Sequence, residues 1–487
     1  MNRQIRRLGM AIVLCYVVLF AMLNYWQVVD AKSLNHNPDN TRAIVRDFNQ
    51  PRGKILTDDG VLLARSVKRG SGIYQYQREY PRGVLYADVT GWYSLTLGAS
   101  GLEQQYNTAL SGRLLTQQFR SLSDLFVDRD RTGDVVVSLR DSVQRTARDA
   151  LGKREGSVVA LDPRSGAVLA LWSNPSYDPN VISSHDFAAA AKAKTALETA
   201  PGQPLRAHAF QDRYFPGSTF KVVTSGAGLR SGRVTPEKPV YPVTRVYVPP
   251  MTSIPVTNFG GEACGGALFT ILAVSCNTSF AQMAAETLGP DFMISGAQAF
   301  GFNSAPPIDL PGAVKSIFPT NYEQNLPALA QAGFGQYEVQ ATPLEMALVA
   351  AGVANGGKIM APTVMKEIRA ADGSVVRRAD RRVWRNALDA NDAATLRAAM
   401  INVVQHGTAQ GIAIPGVEVA GKTGTAQIVR NGNSTHAWMI AFAGPPGGEP
   451  TVAVAVFVKA VPGLGEQTGA AVAGPIAKAV LQAALAR

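Results

Sequence analysis

Cysteine is almost absent, with three residues in 487, at positions 15, 264 and 276. A dense disulfide framework is therefore excluded as the source of stability. Histidine is nearly as scarce. His36, His185, His208, His406 and His436 form no HxH or HExxH spacing, so neither a metal centre nor a cofactor is expected. Charged residues make up only 17% against 46% hydrophobic, a balance that belongs to packed globular chains rather than disordered ones. Acidic residues are outnumbered 36 to 47 by lysine and arginine, giving a net charge of +11 that suits an anionic neighbour. No basic block with interleaved aromatics, zinc-finger spacing or RNP pattern is present, so no nucleic-acid partner is expected. G-x-S-x-G is missing too, which argues against an ordinary Ser-His-Asp hydrolase.

What is present begins at the N-terminus. Arg3, Arg6 and Arg7 precede a run from Leu8 to Val29 that is almost free of charge, close to the ~20 residues a bilayer crossing needs. We read a cytoplasmic tail at 1–7 and one transmembrane helix at 8–29, with Tyr25 and Trp26 at the interface and everything after Asp30 outside. A cleaved signal peptide is the alternative. Its apolar core runs only about 7–15 residues and no clean small-x-small site follows here, so the anchor is expected to stay uncleaved. Asn24 and Gln27 weaken the distal end of the span. Cys264 and Cys276 are the cysteines of the exported part, where an oxidising compartment favours a bridge. Two buried free thiols packing as small hydrophobes are the other reading.

From 30 to 133 the chain is polar, broken by Pro and Gly, with short strand-like runs such as Val61 to Leu63. The composition changes at Asp134, and a helical pattern follows from Gln144 to Leu151. Ser157 to Leu161 and Ala167 to Trp172 flank the turn Asp162-Pro163-Arg164-Ser165-Gly166, which predicts a hairpin. Val417 to Val429, His436 to Ala443 and Thr451 to Lys459 are three further strand-like runs, joined by turns at 430–433 and 444–448. The stretch from Phe215 to Asn355 reads as mostly helical, with a helix start at Thr342-Pro343, and Ala470 to Ala486 reads as a closing helix despite Pro475. Strands at both ends with helices between them predict one α/β domain whose sheet is assembled from distant segments.

Three short motifs carry chemistry. Ser218-Thr219-Phe220-Lys221 is an S-x-x-K, and no other lysine in the chain has a serine three residues before it. A helix beginning at Ser218 would put the hydroxyl and the amine on one face, where a buried lysine can activate the serine and the helix end can help an oxyanion. A capping serine beside a solvated lysine is the bland alternative. Ser275-Cys276-Asn277 is an S-x-N, a weak pattern that recurs at Ser33-Leu34-Asn35. Lys422-Thr423-Gly424 lies in a glycine-flanked strand whose edge could receive an extended peptide, and the alternative is an edge strand protected by a lysine.

Their order and separations together resemble the penicillin-binding proteins, whose S-x-x-K, S-x-N-like and K-T-G elements are a recurring set. Arg52-Gly53-Lys54-Ile55 with Asp59-Gly60, and Gly101-Leu102-Glu103, resemble the N-terminal module of the class B members; Ser173 to Asn180 and Gly407-Thr408-Ala409 resemble their transpeptidase domain. The size, without a glycosyltransferase domain or C-terminal repeats, is similar to the short actinobacterial members. The resemblance implies an α+β transpeptidase domain at 134–487, with an antiparallel five-stranded sheet flanked by helices and a mostly helical subdomain, preceded by a smaller non-catalytic module at 30–133. It implies a serine D-Ala-D-Ala transpeptidase, inhibited by β-lactams and serving septal wall synthesis. Ser218 would be the acylated nucleophile, Lys221 its base, Ser275 a proton relay, Asn277 a holder of Lys221, and Lys422 the cleft's positive charge. Thr423 and Thr425, with Gly424 between them, would bind the substrate carboxylate and backbone, and the N–H groups of Ser218 and Thr425 would form the oxyanion hole. Trp438, on the next strand, is a cleft-wall candidate, with ordinary packing as its alternative. Implied partners are peptidoglycan stem peptides, β-lactams, the cytoplasmic membrane, a membrane glycan polymerase and division proteins. A β-lactamase would need a deacylating base, and no E-x-x-x-N occurs within 134–487, Glu323 and Asn325 having the wrong spacing. A β-lactam sensor or non-catalytic scaffold is the remaining alternative.

Overall fold

The structure, a computed structural model, describes residues 2–25, 48–70, 74–113, 132–428, 434–461, 463 and 465–486. Trp26, the distal end of the expected span at 27–29, the first residues of the expected module at 30–47 and the expected turn at 430–433 lie outside the described residues. The chain divides into two compact units, Met1–Pro51 with Val67–Gln77, and Arg52–Ser66 with Arg78–Arg487. In the first, Asn2–Asn24 is a continuous helix whose stretch Arg3–Asn24 is long and apolar enough to cross a membrane.

The second unit is organised around a five-stranded antiparallel sheet in the order Glu418–Gln427, Thr435–Gly444, Val452–Val458, Gly156–Leu161, Val168–Asn174. The expected hairpin and the three C-terminal strands are all in it. Every residue of Thr435–Gly444 and Val452–Val458 is buried. Both faces are therefore covered, which is why these strands read as continuous apolar runs rather than as alternating ones. Helices Asp141–Leu151 and Gly474–Leu485 pack on one another and on the sheet. The closing helix is preceded by a wide turn at Gly469–Ala473, so Pro475 falls in the first α-helical turn, where its missing N–H costs nothing. Helix Pro343–Ala354 starts as expected, with the Thr342 hydroxyl accepting from Glu345 N. All of its residues are buried, and it packs against the three inner strands. The region expected to be mostly helical also holds two small strand pairs, Tyr241–Thr244 with Cys264–Gly266 and Val246–Tyr247 with Val256–Thr257.

A second sheet uses both sides of position 134. Strand Gly133–Val137 pairs in parallel with Ile55–Leu56 and antiparallel with Met365–Ala370, and Ile55–Leu56 pairs in turn with Leu62–Lys68. Next to its strand Ile55–Leu56, Arg52 takes part in a buried ion triad. Glu103, wholly inaccessible, accepts from Arg52 Nε at 2.5 Å and from Arg78 Nε at 2.6 Å, while Arg52 also donates to Glu103 O and Asn107 Oδ1 and lies 4.0 Å over the Tyr93 ring. Burial alone would raise the Glu103 carboxyl, but Arg78 and Arg52 outweigh it and hold the group below its ordinary value. The two N-terminal sequence elements, Arg52-Gly53 and Gly101-Leu102-Glu103, thus meet at one ion triad.

Glu345 has the opposite environment. It is completely buried in helix Pro343–Ala354, and neither carboxyl oxygen has a hydrogen-bond partner among the described residues. Burial pushes its pKa well up, with Arg385 opposing only in part. The unfolded chain gives up this proton near pH ~4.3. The contribution of the protonated carboxyl is therefore complete below that pH and is lost as pH rises towards the folded value. Glu345→Gln should stabilise the protein by on the order of 1–2 kcal/mol at pH 8 and far less near pH 4.5, read as the shift in unfolding midpoint at each pH. An equal gain at both pH values would show that Glu345 does not titrate between them.

Candidate active site

Ser218 does not cap a helix. It lies inside a tight 3-10 turn, Gly217–Phe220, and the α-helix runs from Lys221 to Arg230. The three-residue spacing still works, because side chains at i and i+3 align in a 3-10 turn. Gly217 has φ +53°, and a Cβ there would lie 2.7 Å from Thr425 O, so glycine lets this turn press against the Lys422-Thr423-Gly424 strand. The turn is held by Gly217 N donating to Gly335 O at 3.0 Å and Thr219 Oγ1 donating to Pro216 O at 2.7 Å. The Ser218 side chain is half-buried, and its hydroxyl has no hydrogen bond to another described residue.

Lys221 is fully buried one turn on. Its Nζ donates to Ser275 O at 2.6 Å, Ser275 Oγ at 3.1 Å and Asn277 Oδ1 at 2.6 Å. Lys422, also fully buried, donates to the same Ser275 Oγ at 2.8 Å and to Thr423 O at 3.1 Å. The Ser275 hydroxyl thus touches both amines. Ser275 adopts φ +59°, a left-handed conformation uncommon for serine, between helices Leu268–Ala273 and Asn277–Gln282. Two buried amines sharing one hydroxyl disfavour double protonation. Burial, then the neighbouring Lys422 charge, holds Lys221 well below the ordinary lysine value, and burial lowers Lys422 to about 7.

The structure therefore brings Lys221, Ser275, Asn277 and Lys422 into direct contact, with Ser218 on the adjoining turn. Gly424 faces Trp438 across the strand pair and has no room for a Cβ, which would come within 2.8 Å of Thr219 and 2.9 Å of Trp438. Thr425 is half-exposed, and its hydroxyl accepts from Gly469 N at 3.4 Å. Trp438 departs from the expected cleft wall. It is completely buried, its ring tilts 4.7 Å from Phe457, and its Nε1 donates to Phe215 O at 2.9 Å. The reason is that an inner strand covered on both faces leaves no solvent side for it to face. Its packing alternative holds, with an added grip on the segment leading to Ser218.

Cys264 and Cys276 are joined, with their Cα atoms 5.8 Å apart, and the bridge ties strand Cys264–Gly266 to the Ser275-Cys276-Asn277 element. The same wall is held by Asn277 Nδ2 donating to Thr257 O at 3.2 Å. Sequence reasoning missed Thr257, since nothing local marks a carbonyl that serves a residue twenty positions later. It also missed a role for Thr408, whose Oγ1 lies 2.7 Å from Thr423 Oγ1. Among the described residues, no three His, Cys, Asp or Glu side chains gather into a metal-holding group.

Comparison with known proteins agrees with this geometry. Residues 156–482 match the penicillin binding protein transpeptidase domain, and residues 52–136 match the penicillin binding protein A dimerisation domain. The chain is 39% identical over 498 residues to the peptidoglycan D,D-transpeptidase PbpA of Mycolicibacterium smegmatis, covering 100% of this chain and 99% of that one. It is 36% identical over 502 residues to PbpA of Mycobacterium tuberculosis, at the same coverage. Among solved structures it resembles penicillin-binding protein A from M. tuberculosis in a ceftriaxone acyl-enzyme complex, with a TM-score of 0.83 and 36% identity over 91% of this chain and 100% of that one. A match across 156–482 that contains all three motifs at these distances places the chain in the penicillin-binding protein transpeptidase family.

Proposed function

We propose that this chain is a peptidoglycan DD-transpeptidase that works through an acyl-serine and is trapped there by β-lactams. The observation that carries the reading is the Ser275 hydroxyl held between two buried amines, with Ser218 three residues before one of them. Ser218 Oγ attacks the carbonyl of the donor peptide's penultimate D-alanine and passes its proton to neutral Lys221 Nζ. The oxyanion faces the N–H groups of Ser218 and Thr425. The amide bond then breaks, and the proton returns through Ser275 to the leaving D-alanine amine, with Lys422 on the far side of that hydroxyl. An acceptor amine next attacks the ester, forming the cross-link and restoring Ser218. Asn277 fixes Lys221, Lys422 supplies positive potential, and Thr423 and Thr425 hold the donor's carboxylate and backbone.

We assign catalysis to 134–487 and a non-catalytic role to 30–133. Arg3, Arg6 and Arg7 support a cytoplasmic N-terminus, a single crossing and a catalytic domain outside. Septal synthesis with a membrane glycan polymerase and division proteins as partners follows from family resemblance. The test is turnover. The full chain in detergent, given a stem peptide ending in D-Ala-D-Ala and an acceptor amine, should release D-alanine and form the cross-linked dimer. A chain that takes up penicillin covalently yet yields neither product would be a sensor, and the transpeptidase reading would fall.

A further inference from the structure

Thr408 lies fifteen residues before Thr423, in the turn that follows helix Ala390–His406. Its backbone is pinned from two directions. Thr408 N donates to Ala273 O at 3.1 Å and Ala409 N to Val403 O at 3.2 Å. Gly407 packs so closely on this wall that a Cβ would stand 2.3 Å from Ala273 O. Ala273 ends the helix that leads into Ser275, so this turn spans from the Ser275 side of the cleft to the strand carrying Thr423. The Thr408 side chain is exposed, whereas Thr423 is only 7% exposed, and the two hydroxyls are 2.7 Å apart with no other side-chain hydrogen bond to a described residue.

Two hydroxyls carry two hydrogens, and their mutual bond uses one. When Thr408 donates to Thr423, the Thr423 O–H is released towards the cleft, where an anionic acceptor would take it. A hydroxyl that is itself receiving a hydrogen bond is also the stronger donor. A carboxylate offers only acceptors, so it selects this arrangement of the pair. We propose that Thr408 is a positioning residue for the donor's terminal carboxylate, acting through Thr423 to keep one O–H aimed at it.

This inference rests on the transpeptidase reading, and its test separates the two. Acylation rates of the full chain are measured with penicillin G, which carries the equivalent carboxylate, and with penicillin G methyl ester, which does not. Thr408→Val should slow acylation by penicillin G roughly ten-fold or more, the scale of a hydrogen bond to a charged group, and leave the rate with the ester within about two-fold of wild type. Thr408→Ser, which restores the hydroxyl, should return the penicillin G rate to within about three-fold. Equal losses on both compounds would mean that Thr408 merely supports the wall, and no loss on either would mean that Thr423 needs no partner; each overturns the proposal. A wild-type chain that neither compound acylates would overturn the transpeptidase reading itself.

Discussion

Ser218→Ala should leave no covalent penicillin adduct by intact mass, while wild type should gain one adduct that maps to the peptide containing Ser218. The expectation is sharp because two hydroxyls compete for the role. Ser275 lies closer to both amines, but its Oγ already sits between Lys221 and Lys422, whereas the Ser218 hydroxyl is uncommitted at the half-exposed edge of the turn. An adduct on Ser275 would exchange their roles. In the same assay Lys221→Ala should slow acylation by roughly 10²-fold or more, the scale of general-base catalysis, and an unchanged rate in a folded variant would make Lys221 structural. The pH dependence has a fixed sign. Lys221 accepts a proton only as the free amine, and burial with Lys422 keeps it free well below the ordinary lysine range. Acylation should therefore be sustained at neutral pH and fall as acidification takes the amine through its lowered pKa, read as the rate of adduct formation across pH.

Glu103→Ala should cost about 3–5 kcal/mol of stability, the penalty for leaving a buried charge without its partner. Here two guanidinium groups, on side chains only 4% and 1% exposed, would lose the same carboxylate. Arg52 would keep Asn107 and the Tyr93 ring, and Arg78 its bond to Arg52 O, but both would lose the shared carboxylate. Denaturant titration of the purified chain reads the loss directly, and a cost under about 1 kcal/mol would mean that the triad behaves like a surface pair. The pH dependence runs opposite to that of Glu345. The Glu103 carboxyl is held below its ordinary value, so its contribution is present above the unfolded pKa and disappears as pH falls through the folded one.

The strands were legible because each is a short apolar run bracketed by turn residues, as with Asp162 to Gly166 between the two strands of the first hairpin. The lysines and Ser275 were legible because residue type and spacing alone mark them. The helix start at Ser218 was misplaced, since a 3-10 turn and an α-helical first turn draw on the same residues and only the backbone separates them. The burial of Trp438 is not legible, because an apolar strand does not reveal how many of its faces are covered. The partnership of Glu103 with Arg78, 25 residues away, and that of Thr408 with Thr423 depend on sheet register and helix packing, which no local pattern encodes.

The central sheet also sets a timetable. Gly156–Leu161 takes Val452–Val458 as its neighbour, and those strands are separated by about 290 residues of chain. At 5–20 residues per second, the first hairpin exists for roughly 15–60 s before the strand that will lie beside it has been made. During that interval it carries an open edge whose residues are all buried in the finished molecule, the kind of edge that pairs with any extended segment within reach. Because Val452–Val458 lies in the middle of the order, the last strand synthesised is the one that joins the other four. Losing the final 40 or so residues would therefore split the sheet at its centre.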